Sequence, residues 1–285
     1  MLSYQHSYHA GNHADVLKHI ILGEVLFAMQ QKEAPLFMLD AFASRGSYDL
    51  DSSEALKNRE FESGIARIWP HRHESIPAGV AKWLETVRAV NNDDRCTTYP
   101  GSTALLHHWQ REHDRLAACE MHPQEFDALR AAFKSTRSLA LHKRDAFEAL
   151  GALLPPKEKR GLVLLDPSYE EKKEYRRIGR AVAAAYPHFR AGVYLIWYPL
   201  LPAGREKELF AELRKSGMRK ILRVEIDGAG AFGEAENPMQ MQGSGMLIVN
   251  PPWHAEQGIR DSLAWLKDML CPSCGASRCD WLVPE

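Results

Sequence analysis

The sequence predicts an α/β protein built on a mainly parallel sheet, and three observations carry that expectation. Short apolar runs recur along the chain: "LFMLD" to Asp40, "LAACE" to Glu120, "SLALHKRD" to Asp145, "LVLLD" to Asp166, and then "GVYLIWY". Stretches of helical spacing such as "EFDALRAAF" and "AFEALGALL" separate most of them, and strands that alternate with helices pair in parallel because each helix serves as the crossover. The runs through Asp40, Glu120, Asp145 and Asp166 each end in a carboxylate, which a parallel arrangement gathers along one edge of the sheet.

The elements follow in order. Asn12 is placed to cap a helix whose apolar positions are Val16, Leu17, Ile20, Ile21, Val25, Leu26 and Met29. After the strand ending at Asp40, residues 52–94 interrupt the alternation with two helical patterns. The first holds Phe61, Ile65, Ile68 and Trp69, and the second Val80, Trp83, Leu84 and Val87, with Pro70 and Pro77 bracketing a polar connection. The expected organisation is therefore a core of residues 1–51 and 95–285 carrying a helical insert at 52–94. Late in the chain "KILRVEI" and "GMLIVN" are joined by a Gly-rich loop without an obvious helix, the pattern of a terminal antiparallel hairpin.

A chain of 285 residues holds one large domain, or one domain with an insert. Its 45% hydrophobic and 26% charged residues are ordinary for a globular protein. The formal net charge of -1 excludes a strongly basic protein that coats nucleic acid, though not a local basic patch. The N-terminus has neither the basic nor the apolar region of a signal peptide, and no apolar run approaches the roughly 20 residues of a membrane-spanning helix. Five cysteines, an odd number with three near the end, fit a reducing compartment, so a cytoplasmic protein is expected.

In a parallel sheet, ligands bind beyond the carboxyl ends of the strands. One acid there reads as a helix N-cap; four along one edge read as a site. An acid after the second strand, Glu120, is placed to accept from ribose hydroxyls, and the next, Asp145, from an adenine amino group, which implies an adenosine-containing cofactor. Beside it lies "GLVLLDPSYEEKK" (161–173), where a buried strand runs into an acid, a proline and an aromatic ring. An adenine amino nitrogen is a poor nucleophile because its lone pair is delocalised into the ring. The Asp166 carboxylate and the Pro167 carbonyl are placed to hold its two hydrogens, and Tyr169 to stack on the extruded base.

"DPSY" resembles the Asp/Asn-Pro-Pro-Tyr motif of amino-methyltransferases that use S-adenosyl-L-methionine. The opening "MLSYQHSYHAGNHADVLKH" resembles that of the ribosomal RNA large subunit methyltransferase J family, as do "GIARIW" (Gly64 to Trp69), "YPGS" (Tyr99 to Ser102), "WYP" (Trp197 to Pro199), "NPPW" (Asn250 to Trp253) and the terminal "WLVPE". The similarity covers nearly the whole chain in order. It implies a Rossmann-like S-adenosylmethionine-dependent methyltransferase with a small helical subdomain, acting on N6 of an adenine in 23S rRNA. It also implies cofactor contacts at His19, Ser102, Glu120, Asp145 and Asp166. Asp166 is then the catalytic residue, with Tyr4, His6, Lys18, Pro167 and Tyr169 on the substrate side. The implied partner is 23S rRNA, protein-free or in an early assembly intermediate, and the expected state is a monomer with no metal.

Two departures stand out. Family members read Asp-Thr-His-Ala-Gly-x-Gly after the first strand, whereas this chain has "DAFASRGSY". Phe42 replaces the histidine, and Ser44 and Arg45 occupy a normally Gly-rich turn that retains Gly46. Reverting Phe42, Ser44 and Arg45 is therefore expected to tighten cofactor binding, unless Arg45 itself meets the cofactor carboxylate. Ser168 replaces the second proline of the motif. The alternative function that follows is an RNA-binding member with weakened catalysis. A dinucleotide oxidoreductase is disfavoured by the lack of GxGxxG after the first strand.

Other signals have plainer readings. "NPPW" follows a strand expected to run antiparallel, so its end faces away from the cofactor edge. His6, His9, His13 and His19 lack the acids of a metal site at fixed spacing. "CPSCGASRC" (Cys271 to Cys279) has one CxxC and a third thiol where structural zinc needs four ligands, so it reads as a surface tail. "EEKKEYRR" reads either as a solvated helix face or, through Arg176 or Arg177, as a contact to RNA phosphate.

Overall fold

The computed structural model describes residues 5–71, 75–92, 95–228, 241–272 and 275–285. In chain order these form α1 (His13–Gln30), β1 (Phe37–Asp40), β2 (Ser47–Asp49), α2 (Ser53–Asn58), α3 (Ile65–Ile68), α4 (Ala78–Ala89), β3 (Thr98–Pro100), α5 (Ser102–Trp109), β4 (Arg115–Cys119) and α6 (Pro123–Ala132). They continue with β5 (Leu139–His142), α7 (Ala146–Leu153), β6 (Gly161–Leu165), α8 (Glu174–Ala185), β7 (Val193–Leu200), α9 (Glu206–Lys215), β8 (Ile221–Asp227), β9 (Gly243–Val249), α10 (Ala255–Leu270) and β10 (Ala276–Val283).

The main sheet has eight strands in the order β10-β8-β9-β7-β6-β1-β4-β5. From β5 to β7 every pairing is parallel, and β9, β8 and β10 complete the sheet antiparallel. Successive residues of the inner strands face opposite layers. Met38, Leu116, Leu162 and Leu164 join one apolar cluster with α1, α4, α5 and α10; Phe37, Leu39, Val163 and Leu165 join the other with α7, α8 and α9. Burial on both faces is why these strands read as unbroken apolar runs.

Asn12 caps α1 as its sequence position predicts, its side-chain oxygen accepting from the Ala14 and Asp15 amides at 3.0 and 2.9 Å. The helix is buried on nearly every side. Such a helix has no polar face to give to solvent. Its ionisable residues Asp15, Lys18 and His19 are therefore inside the protein.

Two expectations need correction, and one motif gains a structural role. The first pattern of the insert is a chain of short pieces, with α2 and α3 separated by a 3-10 turn over Glu60–Ser63, and not one helix. Arg59 breaks it at φ 51°, and at Gly64 the chain passes so close to α1's approach that a Cβ would overlap the Gly11 carbonyl; the Ile65 amide donates to that carbonyl at 2.8 Å. "YPGS" supplies a strand, β3, whose antiparallel pairing with β2 draws together the two ends of the 52–94 segment. Finally, "CPSCGASRC" is no surface tail: Cys271 is buried, and Ala276 onward forms the edge strand β10 against β8. Cys274 lies outside the described residues. Among them, no helix is long and apolar enough to cross a membrane, and no group of His, Cys, Asp and Glu is arranged to hold a metal ion.

Candidate active site

The strand order reverses between β1 and β6, and the crevice beyond their carboxyl ends is where α/β folds bind ligands. A cavity of about 490 Å³ opens there, within the roughly 300–1,000 Å³ range of small-ligand pockets. Segments following β1, β4, β5 and β6 line it, and α1 and the N-terminal segment close it.

Asp40, the last residue of β1, lies beneath the cavity. Its Oδ2 accepts from Ser102 Oγ and Thr103 Oγ1, both at 2.7 Å, while Oδ1 has no partner among the described residues. Burial raises its pKa against the pull of those two hydroxyls. The Ser102 hydroxyl is thus committed to Asp40, although Ser102 also lines the cavity. Glu120 follows β4 and accepts from the Ser44 amide at 2.8 Å and the His122 amide at 2.6 Å; burial raises its pKa despite them. Asp145 stands three residues beyond β5, not at its end. It caps α7 through the Phe147 and Glu148 amides at 2.7 and 3.3 Å and meets Arg177 at 3.4 Å. Both plain and functional readings of this acid therefore apply to one side chain: it is an N-cap, and it lines the cavity.

At the other end, Asp166 follows β6 directly and is paired with Lys18 Nζ. Lys18 is 4% exposed, and the same Nζ donates to Asp15 Oδ1 at 2.7 Å. The Asp15 Oδ2 accepts from the Gly11 amide at 2.9 Å and contacts His6 Nε2 at 2.8 Å. Burial alone would raise the Asp15 pKa, but His6 and Lys18 outweigh it and hold the carboxyl well below the usual range. For Lys18 burial opposes the charge, and Asp15 and Asp166 overcome it to raise its pKa. Both groups are therefore charged at neutral pH.

Tyr169 is 9% exposed; its ring packs on Tyr175 at 4.3 Å between centroids, and its hydroxyl donates to the Trp197 carbonyl at 2.7 Å. His19 is buried beside Tyr99, with Nδ1 2.9 Å from that hydroxyl, and burial lowers its pKa to about 3. When Tyr99 donates, the neutral imidazole carries its proton on Nε2. That atom has no partner among the described residues.

Known proteins resemble this chain closely. Residues 33–283 match the model of a family described as ribosomal RNA large subunit methyltransferase D, RlmJ. The chain is 37% identical to ribosomal RNA large subunit methyltransferase J of Escherichia coli over 286 residues, and 37% identical to the Haemophilus influenzae protein of the same name over 287 residues, each covering 100% of both sequences. A crystal structure of a Legionella pneumophila protein superposes with a TM-score of 0.87 at 33% identity, covering 96% of this chain and 98% of that one. The chain belongs to this family of ribosomal RNA methyltransferases. Its fold is the Rossmann-like methyltransferase fold, and its cofactor is S-adenosyl-L-methionine.

The cavity suits that cofactor. Glu120 and Asp145 offer carboxylates for an adenosine, Phe42 and Phe147 give it apolar walls, and His19 Nε2 is an unused donor for a carboxylate. The substituted turn has its own construction. Ser44 stands at φ 50°, its hydroxyl bonds Glu125 at 3.0 Å, and Arg45 makes a fork to Glu125 at 2.9 and 2.5 Å. Arg45 is thus bound within the protein. Phe42 meets Phe147 edge-on at 6.0 Å, and the Arg177 guanidinium lies 3.5 Å from the Phe147 ring centroid.

Around the cavity the fold gathers His6, Lys18, His19, Ser102, Glu120, Asp145, Asp166, Pro167 and Tyr169. Tyr4 lies outside the described residues. Sequence reasoning missed Asp15, Glu125, Phe147 and Trp197. The spacing of Asp15 and Lys18 on one helix face was the available signal for the first. On α8, Arg176 and Arg180 pair with Glu208 and Glu212 of α9, and Arg177 with Asp145, so these arginines tie elements together. "NPPW" follows β9, antiparallel to β7, at the opposite edge of the sheet; Asn250 there donates to the Arg190 and Gly192 carbonyls.

Proposed function

We propose that this protein methylates N6 of an adenine in 23S rRNA, at the family's target adenine 2030, acting as a monomer on protein-free RNA or an early assembly intermediate. The observation that carries the reading is Asp166-Pro167-Ser168-Tyr169, which follows β6 and lines the same cavity as the acids suited to the cofactor. When bound, S-adenosyl-L-methionine supplies an electrophilic methyl group. Asp166 accepts one hydrogen of the target amine and the Pro167 carbonyl the other, which turns the nitrogen lone pair outward. Tyr169 offers a ring against which the extruded base packs. The proton that N6 sheds on methylation passes to the Asp166 carboxylate that holds it, and from there to solvent. Most of the rate comes from orientation and fixed charge, without a strong base.

His6 and Lys18 line the cavity, and in this reading they belong to the substrate side. The turn at Phe42 to Arg45 supports an active enzyme, because its polar groups are satisfied by Glu120 and Glu125. The test is transfer of labelled methyl from S-adenosylmethionine to protein-free 23S rRNA and to assembled large subunits, with the product mapped. The expected outcome is N6-methyladenosine at the single target position, formed on free RNA and poorly on subunits. Saturable RNA binding without transfer would establish the catalytically weakened alternative instead.

A further inference from the structure

The group that organises the catalytic end of the cavity is one that the chemistry itself does not use. Asp15 is 1% exposed in the first turn of α1, where Asn12 already caps the helix. Its carboxylate is not needed for that cap. It instead gathers the Lys18 ammonium at 2.7 Å on Oδ1, and the Gly11 amide at 2.9 Å and His6 Nε2 at 2.8 Å on Oδ2. The same Lys18 nitrogen reaches Asp166, 148 residues away in sequence. One lysine is thus held between two carboxylates.

We propose that Asp15 is a positioning residue of methyl transfer: it shares Lys18 with Asp166, so that one buried carboxylate sets where the catalytic carboxylate stands. This rests on reading Asp166 as the acceptor of the target amine. Were Lys18 paired with Asp166 alone, its whole charge would compete with the amine for that carboxylate. A second carboxylate divides the ammonium's donors and leaves Asp166 free lone pairs facing the cavity. The role demands a carboxylate. An amide at position 15 would turn its NH2 either on the Gly11 amide and His6 or on the Lys18 ammonium, setting donor against donor on one side.

The test is a double-variant cycle with Asp15→Asn and Lys18→Met, reading kcat for methyl transfer alongside the dissociation constant for S-adenosylhomocysteine. Asp15→Asn is expected to lower kcat about 10–100-fold, the scale of a misplaced reacting group, with cofactor affinity unchanged within about twofold. Because Asp15 acts through Lys18, the double variant is expected to be no slower than Lys18→Met alone. Should the single Asp15→Asn chain fail to fold, the double variant removes one charge of each sign, and its comparison with Lys18→Met still decides. Wild-type kcat in Asp15→Asn, or a double variant far slower than Lys18→Met, would overturn the inference. Asp166→Ala measured in parallel separates the two levels. Retained transfer there overturns the functional reading and this inference with it; lost transfer there with a fully active Asp15→Asn overturns the inference alone.

Discussion

Tyr169 occupies the left-handed region at φ 53°, a conformation that costs a non-glycine residue on the order of 1 kcal/mol or more and persists where its surroundings impose it. The surroundings here are the hydroxyl bond to the Trp197 carbonyl and the Tyr175 ring packed against it at a tilt of 33°. Tyr169→Phe loses that bond and is expected to cost about 0.5–1.5 kcal/mol in thermal unfolding while keeping most activity. Tyr169→Ala removes the ring as well and is expected to raise KM for RNA by the equivalent of about 1–3 kcal/mol of base stacking. Equal damage from both would assign the effect to the hydroxyl. His19 gives a second residue-scale prediction. Burial lowers its pKa from 6.5 to about 3, so between those values the unfolded chain binds a proton that the folded chain refuses. Its effect on stability is nil above the unfolded pKa and becomes a loss as pH falls toward the folded one, by up to about 1.4 kcal/mol per pH unit. His13, also lowered to about 3, acts in the same sense, whereas the raised pKa values of Asp40 and Glu120 act in the opposite one. His19→Gln therefore isolates one contribution: the acid limb of unfolding free energy against pH is expected to flatten by that slope. An unchanged limb would mean that His19 protonates in the folded state.

At the scale of one element, the turn after β1 reverses an expectation. Without the structure, replacing Phe42, Ser44 and Arg45 by the family's residues promises tighter cofactor binding. With it, Ser44 and Arg45 are the side-chain partners of Glu125, whose side chain is 3% exposed. Arg45 also holds the Glu125 pKa down against its burial. Changing Ser44 and Arg45 together strands that carboxylate, and the triple substitution is expected to lose about 1–3 kcal/mol in chemical unfolding and to weaken cofactor affinity. Adding Glu125→Ala is expected to recover much of the stability. A triple variant that is as stable as the parent and binds S-adenosylhomocysteine more tightly would show that the pairing has no structural weight. Sequence spacing carries no signal of this pairing, because Arg45 and Glu125 lie 80 residues apart. In the insert the apolar spacing is helical, but the chain turns left-handed at Arg59 and at Gly64 passes against Gly11 and Asn12, a contact that spacing does not reveal.

For the molecule as a whole, what could be read from sequence followed burial. The inner strands are covered on both faces and stand out as apolar runs, and Asp40, Glu120 and Asp166 stand where three of those runs stop. β10 was not legible because it is an edge strand whose residues Ser277 and Arg278 are exposed, leaving no apolar pattern. Asp40 is not separable by sequence from the acids that line the cavity, since only the fold shows its carboxylate committed to the hydroxyls of Ser102 and Thr103. In the proposed function, Asp166 is where the cofactor cleft meets the substrate side. The measurement that tests it most directly is nucleoside analysis of 23S rRNA after incubation with S-adenosylmethionine and either the wild-type protein or Asp166→Ala, with S-adenosylhomocysteine affinity and thermal unfolding measured for both. The account predicts N6-methyladenosine with the wild type and none above background with Asp166→Ala, the variant remaining folded and within a few-fold in cofactor affinity. N6-methyladenosine formed by Asp166→Ala at the wild-type rate, or a wild-type product methylated at another atom, would contradict it.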